Sequence, residues 1–179
     1  MNQRHKANIA NLAKNHGRQV FHSAFRLLRD AHLAEDVTQE VFLKLFKKSP
    51  SSFNTITHWP AYLKSMAIST AIDHLRRHTR LAESPMEAVP EPQTIHAEQP
   101  LQLILQDRDL QCLLKALLRL DAKDARIFCM RHIEGYSYQE IADIEGISSS
   151  LVGVTLHRTQ IKVSSHLGES QFLGEQHVV

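Results

Sequence analysis

Two sets of cationic and hydroxyl side chains stand out for the chemistry they could do. Arg76, Arg77 and Arg80 cluster at the end of one apolar-periodic stretch, with His74 and His78 beside them. Ser149, Ser150, Thr155, His157, Arg158 and Lys162 populate a second stretch, around Gly153. Guanidinium and ammonium groups pair with phosphates, and hydroxyls and imidazoles bond to base edges. That chemistry recognises nucleic acid and breaks no covalent bond. Sequences that would point to bond making do not occur: there is no phosphate-binding glycine loop, no His-Glu-x-x-His and no nucleophile elbow. His74 and His78 lie four apart, as two ligands on one helix face would. No third ligand sits at a matching spacing, so neither a metal site nor a cofactor is expected.

The second set needs a helix-turn-helix to present it. Tyr138, Ile141, Ala142 and Ile144 build a short helix, and Glu145-Gly146-Ile147-Ser148 follows as the turn. Glycine takes positive φ without steric cost, and Ser148 is suited to cap the next helix. In that helix Val152, Leu156 and Val163 share the inward face. Ser149, Ser150, Gly153, His157 and Arg158 are left on the outer one, which would fit the major groove of DNA. The first set closes a helix that starts near Thr57 or His58 and carries Trp59, Leu63, Met66, Ala67, Ala71 and Leu75. Pro60 fits its first turn. Cations at a helix C-terminus are also favoured by the macrodipole, so capping is a second reading of the arginines. Upstream, Val37, Val41, Phe42, Leu45 and Phe46 form an apolar stripe, with Asp36, Gln39, Glu40, Lys44, Lys47 and Lys48 opposite.

The chain has 179 residues, of which 42% are hydrophobic and 22% charged, with a net charge of +2. These values describe a soluble globular protein of one or two small domains. No apolar run approaches the roughly 20 residues a bilayer needs, and the N-terminus lacks the apolar centre of a secretory signal. Cys112 and Cys129 are not spaced as a metal pair and read as reduced core residues of a cytoplasmic protein. Helical periodicity dominates. Between Leu81 and Pro100 it gives way to Pro85, Pro90, Pro92 and Pro100, interspersed with Glu83, Glu87, Glu91 and Glu98. The expected fold is therefore all-α: two small helical domains, residues 1–80 and 101–167, joined by a flexible acidic linker at 81–100. The second domain is a four-helix unit ending in the helix-turn-helix, and residues 168–179 form a tail.

The order of these pieces resembles the extracytoplasmic-function sigma factors of bacterial RNA polymerase. AEDVTQEVFLKLFKK, Ala34 to Lys48, looks like the family's polymerase-binding helix. YLKSMAISTAIDHLRRHTR, Tyr62 to Arg80, is similar to its promoter-melting and −10-reading helix. LLRLDAKDARIFCMRHIEGYSYQEIADIEGIS, Leu117 to Ser148, resembles the −35-binding domain. The resemblance implies a promoter-specificity subunit rather than an enzyme, with core RNA polymerase and promoter DNA as partners. Asp36, Gln39 and Glu40 would then meet the polymerase. Phe53, Asn54, Ser69, Asp73, Arg76, Arg77 and Arg80 would meet the −10 element. Ser149, Ser150, Gly153, Thr155, His157, Arg158 and Lys162 would meet the −35 element. In the family the loop at Ser49–Thr57 captures a flipped base. Phe53 either walls such a pocket or packs into its own domain. The acidic linker either threads the polymerase toward the RNA exit path or is a plain solvated tether. An anti-sigma factor, often membrane-bound, is a usual partner of the family.

Two departures from the family pattern bear on promoter reading. Ala67, Ile68 and Ser69 stand where Ala-Arg-Asn is common, and Gly153 and Thr155 stand where recognition helices often carry cations. These changes predict a weak or unusual −35 reading, or an additional recruiting factor. The competing assignment is a stand-alone helix-turn-helix regulator that binds DNA without polymerase. A histidine-rich metallohydrolase has little in its favour.

Overall fold

The computed structural model describes residues 3–49, 53, 55–82 and 112–167. Asn54, residues 83–111 with most of the expected acidic linker, and the tail 168–179 lie outside the described residues. Regular structure within the described residues is helical throughout.

Three helices form the first group: α1 (Gln3–Leu28), α2 (Ala31–Lys47) and α3 (Trp59–Ala82). The first two are joined by only two residues. Arg29 adopts a left-handed φ of 52° and its N–H donates to the Phe25 carbonyl at 2.9 Å, which ends α1. Asp30 then caps α2, its carboxylate accepting from the Leu33 N–H at 2.9 Å. Val20, Ala24 and Leu27 of α1 are fully buried against Ala34, Val37, Val41 and Leu45 of α2 and Leu63, Ala67 and Ala71 of α3. Alanine at four of these sites lets the helix backbones approach closely. The helix expected from Thr57 or His58 begins at Trp59, with Pro60 in its first turn and the His58 ring accepting from the Ala61 N–H.

The second group comprises α4 (described over 112–118), α5 (Ala122–His132), α6 (Tyr138–Glu145) and α7 (Ser149–Leu167). Ile127, Phe128, Cys129 and Met130 are consecutive and buried, so α5 is enclosed by its neighbours rather than one-sided. Ser137 and Glu140 form a reciprocal capping box at the start of α6. Gly146 ends that helix in the left-handed region, at φ 65°, and the Ser148 hydroxyl accepts from the Leu151 N–H to start α7. The turn chemistry expected from sequence is therefore in place. Cys112 is a correction: it is exposed, and only Cys129 lies in the core. At 112 the chain presents the polar side of α4, while Leu113, Leu114, Ala116 and Leu117 turn inward.

Candidate nucleic-acid interface

On α7, Val152, Thr155, Leu156, Thr159 and Val163 are buried, and Ser150, Leu151, Val154, His157 and Arg158 are exposed. The exposed set recurs every three or four residues and forms one face. Two residues expected on it are elsewhere. Thr155 faces the core, and Gly153 lies under the Tyr138 ring, where a Cβ would meet Cε2 at 3.4 Å. Ser149 is half-buried at the helix start. Arg158 is not idle: its NH2 donates to both oxygens of Asp124 at 3.0 Å, and Lys162 Nζ stands 4.0 Å from the same buried carboxylate.

The C-terminal arginines of α3 divide in the same way. Arg80, Asp73 and Arg77 are exposed, although Arg77 NH2 also lies 3.5 Å from Glu40. Arg76 is half-buried and donates to the Leu120 carbonyl at 2.6 Å. The Ser69 hydroxyl accepts from Arg126 NH1 at 3.2 Å, while the same guanidinium pairs with Glu145. Ile68, where the family pattern has a cation, is fully buried. The contacts made by Arg76 and Arg126 join α3 to the second helical group. Beside them, Glu134 has only 1% of its side chain exposed, with Lys64 Nζ at 3.1 Å and Arg26 NH1 at 3.4 Å.

Phe53 is buried. Its ring lies 4.3 Å from that of Trp59 and 5.0 Å, edge-on, from His5. One edge of this aromatic pair still opens on a cavity of about 240 Å³, walled on the other side by Asn8, Asn11 and Asn15 of α1. Amides opposite aromatic rings can bond the edge of a planar base while the rings stack on its face. The asparagines recur at three and four residues in the sequence, a spacing that could have revealed them as one face.

Asp36 and Gln39 are exposed on α2, as expected for a partner surface. Glu40 is half-buried and engaged within its own domain. Its Oε1 pairs with Lys44 at 3.0 Å and its Oε2 with His74 at 2.8 Å, which ties α2 to α3. Burial pushes the Glu40 carboxyl up, but the hydrogen bonds from His74 and Lys44 outweigh it and hold the group at about 2. Leu43, not singled out in the sequence, is 58% exposed one turn beyond Gln39, and it continues the Asp36–Gln39 face. Among the described residues no group of three His, Cys, Asp or Glu side chains could hold a metal, and no helix is long and apolar enough to cross a membrane.

Residues 12–81 match the family model for Sigma-70 region 2, and residues 110–159 match that for Sigma-70 region 4. Both helical groups are thus accounted for, in order, in one chain. The protein belongs to the extracytoplasmic-function sigma factors. Similar proteins agree. This sigma factor is 24% identical to the RNA polymerase sigma factor YlaC of Bacillus subtilis, over 94% of this chain and 96% of that one. It is 30% identical to the ECF RNA polymerase sigma factor SigE of Mycolicibacterium smegmatis, over 88% of this chain but only 61% of that longer protein. Its fold is similar to that of the sigma factor RpoE solved with the anti-sigma factor NepR from Bartonella quintana. There the TM-score is 0.51 at 19% identity, over 92% of this chain and 99% of that one. The stand-alone regulator is not favoured, because a sigma factor carries both regions.

Proposed function

We propose that this sigma factor loads onto core RNA polymerase in the cytoplasm, selects promoters through α7 and the end of α3, and helps to open the DNA. The polymerase performs the chemistry, and the sigma chain itself is no enzyme. Residues 1–80 act as the sigma-2-like domain and 101–167 as the sigma-4-like domain, with 81–100 linking them. The observation that carries the reading is the coexistence of an exposed Asp36–Gln39–Leu43 face, an arginine-tipped α3 and a complete helix-turn-helix. A DNA-binding regulator would need only the last. The cavity between Phe53, Trp59 and the α1 asparagines supports capture of an unstacked base near the −10 element. An anti-sigma factor, like the one bound to the Bartonella relative, would compete for the α2 face. A further recruiting factor is consistent with the sparse set of free cations on α7.

Co-elution with sigma-free core polymerase tests the proposal. The wild-type chain should co-elute, and Asp36→Arg with Leu43→Asp should abolish this without unfolding the chain, since both positions are exposed. A well-folded wild-type chain that fails to bind core polymerase would overturn the assignment.

A further inference from the structure

The outward face of α7 is unusual in what it offers to DNA. Over its first three turns the exposed residues are Ser150, Leu151, Val154, His157 and Arg158. Leu151 is 47% exposed and Val154 62%, although both are aliphatic. Arg158 is held by the two oxygens of Asp124, a residue only 5% exposed. Releasing it would leave a buried carboxylate with Lys162 at 4.0 Å as its remaining cation. Losing the nearer cation of a buried carboxylate is costly, so the Arg158 NH2 is committed to the fold, although 56% of the side chain remains exposed. Guanine is read chiefly by arginine or lysine, which donate to its O6 and N7. Beside Ser150, His157 and this engaged arginine, the outward face carries two aliphatic side chains.

Only one apolar group is displayed on the major-groove edges of the four base pairs, the C5-methyl of thymine. Leu151 and Val154 are three residues apart, about 4.5 Å along the helix axis. Stacked base pairs are about 3.4 Å apart. Resting on the reading that α7 enters the major groove, we infer that Leu151 and Val154 read thymine methyl groups at neighbouring base pairs of the upstream promoter element. The sigma factor therefore selects A·T pairs at two adjacent positions, with Ser150 and His157 free to bond the flanking edges. A protein partner would need a longer apolar seam. The next exposed aliphatic residue, Ile161, lies seven residues beyond Val154, about 10 Å along the axis, with His157 and Arg158 between them.

The test uses holoenzyme assembled from the full chain and core polymerase, with promoter duplexes randomised across the upstream element. Recovered sites should carry thymine, on either strand, at two adjacent base pairs. Replacing each such thymine by deoxyuridine removes only the methyl, and should weaken binding about three- to fourfold per methyl, the transfer value of one buried methyl-sized group. Val154→Ala should erase the thymine-over-deoxyuridine preference at one position and Leu151→Ala at the other. Both sites are exposed, and circular dichroism checks that the variants stay folded. Arg158→Ala should lower thermal stability and leave the base preference unchanged. Sites enriched in guanine whose selection is lost in Arg158→Ala would overturn the inference. So would holoenzyme that initiates normally on sites indifferent to deoxyuridine, and in that case the sigma assignment survives. A chain that forms no holoenzyme fails the assignment itself and takes the inference with it.

Discussion

Cys112 and Cys129 differ in what surrounds the sulfur. Burial, reinforced by the Glu134 carboxylate, pushes the Cys129 thiol up to about 12, whereas Cys112 is exposed on α4. The thiolate is the reactive form. Mass-resolved labelling of the native chain with a maleimide should therefore modify one cysteine within minutes and the second only after denaturant is added. Gly153 is a second position where local surroundings decide the outcome. Its missing Cβ would sit at ordinary van der Waals distance from the Tyr138 ring, not at the DNA-facing surface. Gly153→Ala should gain up to about 1 kcal/mol of helix propensity. In a chain of this size that amounts to a rise of about 2–4 °C in Tm by calorimetry. Promoter affinity should not change, and a marked loss would mean that DNA approaches the helix backbone at this glycine.

The junction of α2 and α3 rests on a charged clasp rather than on packing alone. Lys44 bonds both Glu40 and the Thr70 hydroxyl, and His74 completes the Glu40 site. Glu40 titrates at about 2 in the fold, against 4.5 ordinarily. Its contribution is therefore fully present above about pH 4.5 and is lost as the pH falls toward 2. Urea midpoints measured from pH 6 down to pH 2.5 should decline more steeply for the wild type than for Glu40→Gln. At this scale the sequence was highly legible. The apolar stripes of α2, α3 and α7, the glycine turn and the Ser148 cap all follow from local spacing, which needs no knowledge of distant residues. The capping box at Ser137 and Glu140 was equally visible as Ser-x-x-Glu ahead of Ile141, although it was not among the features singled out. The ion pairs of Glu40 were not legible, because a carboxylate on the polar face of a helix looks the same whether it meets solvent or a neighbouring helix. His74, its partner, is 34 residues away.

In the whole molecule, the contacts that bring the two helical groups together were the least legible. They pair residues with no mutual spacing signal, such as Arg76 with Leu120 and Lys64 with Glu134. Their consequence is direct. On the proposed reading that Arg76 and Ser69 contact a promoter, Arg76 would have to release the Leu120 carbonyl and Ser69 to part from Arg126. Glu134→Lys should replace attraction to Lys64 and Arg26 by repulsion, a change on the order of 3 kcal/mol for a pair this buried. Small-angle scattering should then show a larger radius of gyration with unchanged helical content. A chain that keeps its radius would show that apolar contacts between α3 and α5 suffice to hold the groups together. The Asp124 cluster reaches further still, into the thermodynamics of holoenzyme on DNA. Protein–DNA affinity depends on salt through the counterions that each neutralised phosphate sheds, at roughly 0.9 per contact on duplex DNA. Arg158 and Lys162 spend part of their charge on a carboxylate of their own domain, so on the proposed reading α7 would displace fewer counterions than its sequence suggests. Asp124→Asn would return that charge to the groove. Promoter affinity measured across a potassium chloride series should then fall more steeply, by about one unit of slope. On the reading that α7 enters the groove, one carboxylate within the domain sets part of how steeply salt loosens this sigma factor from its upstream element.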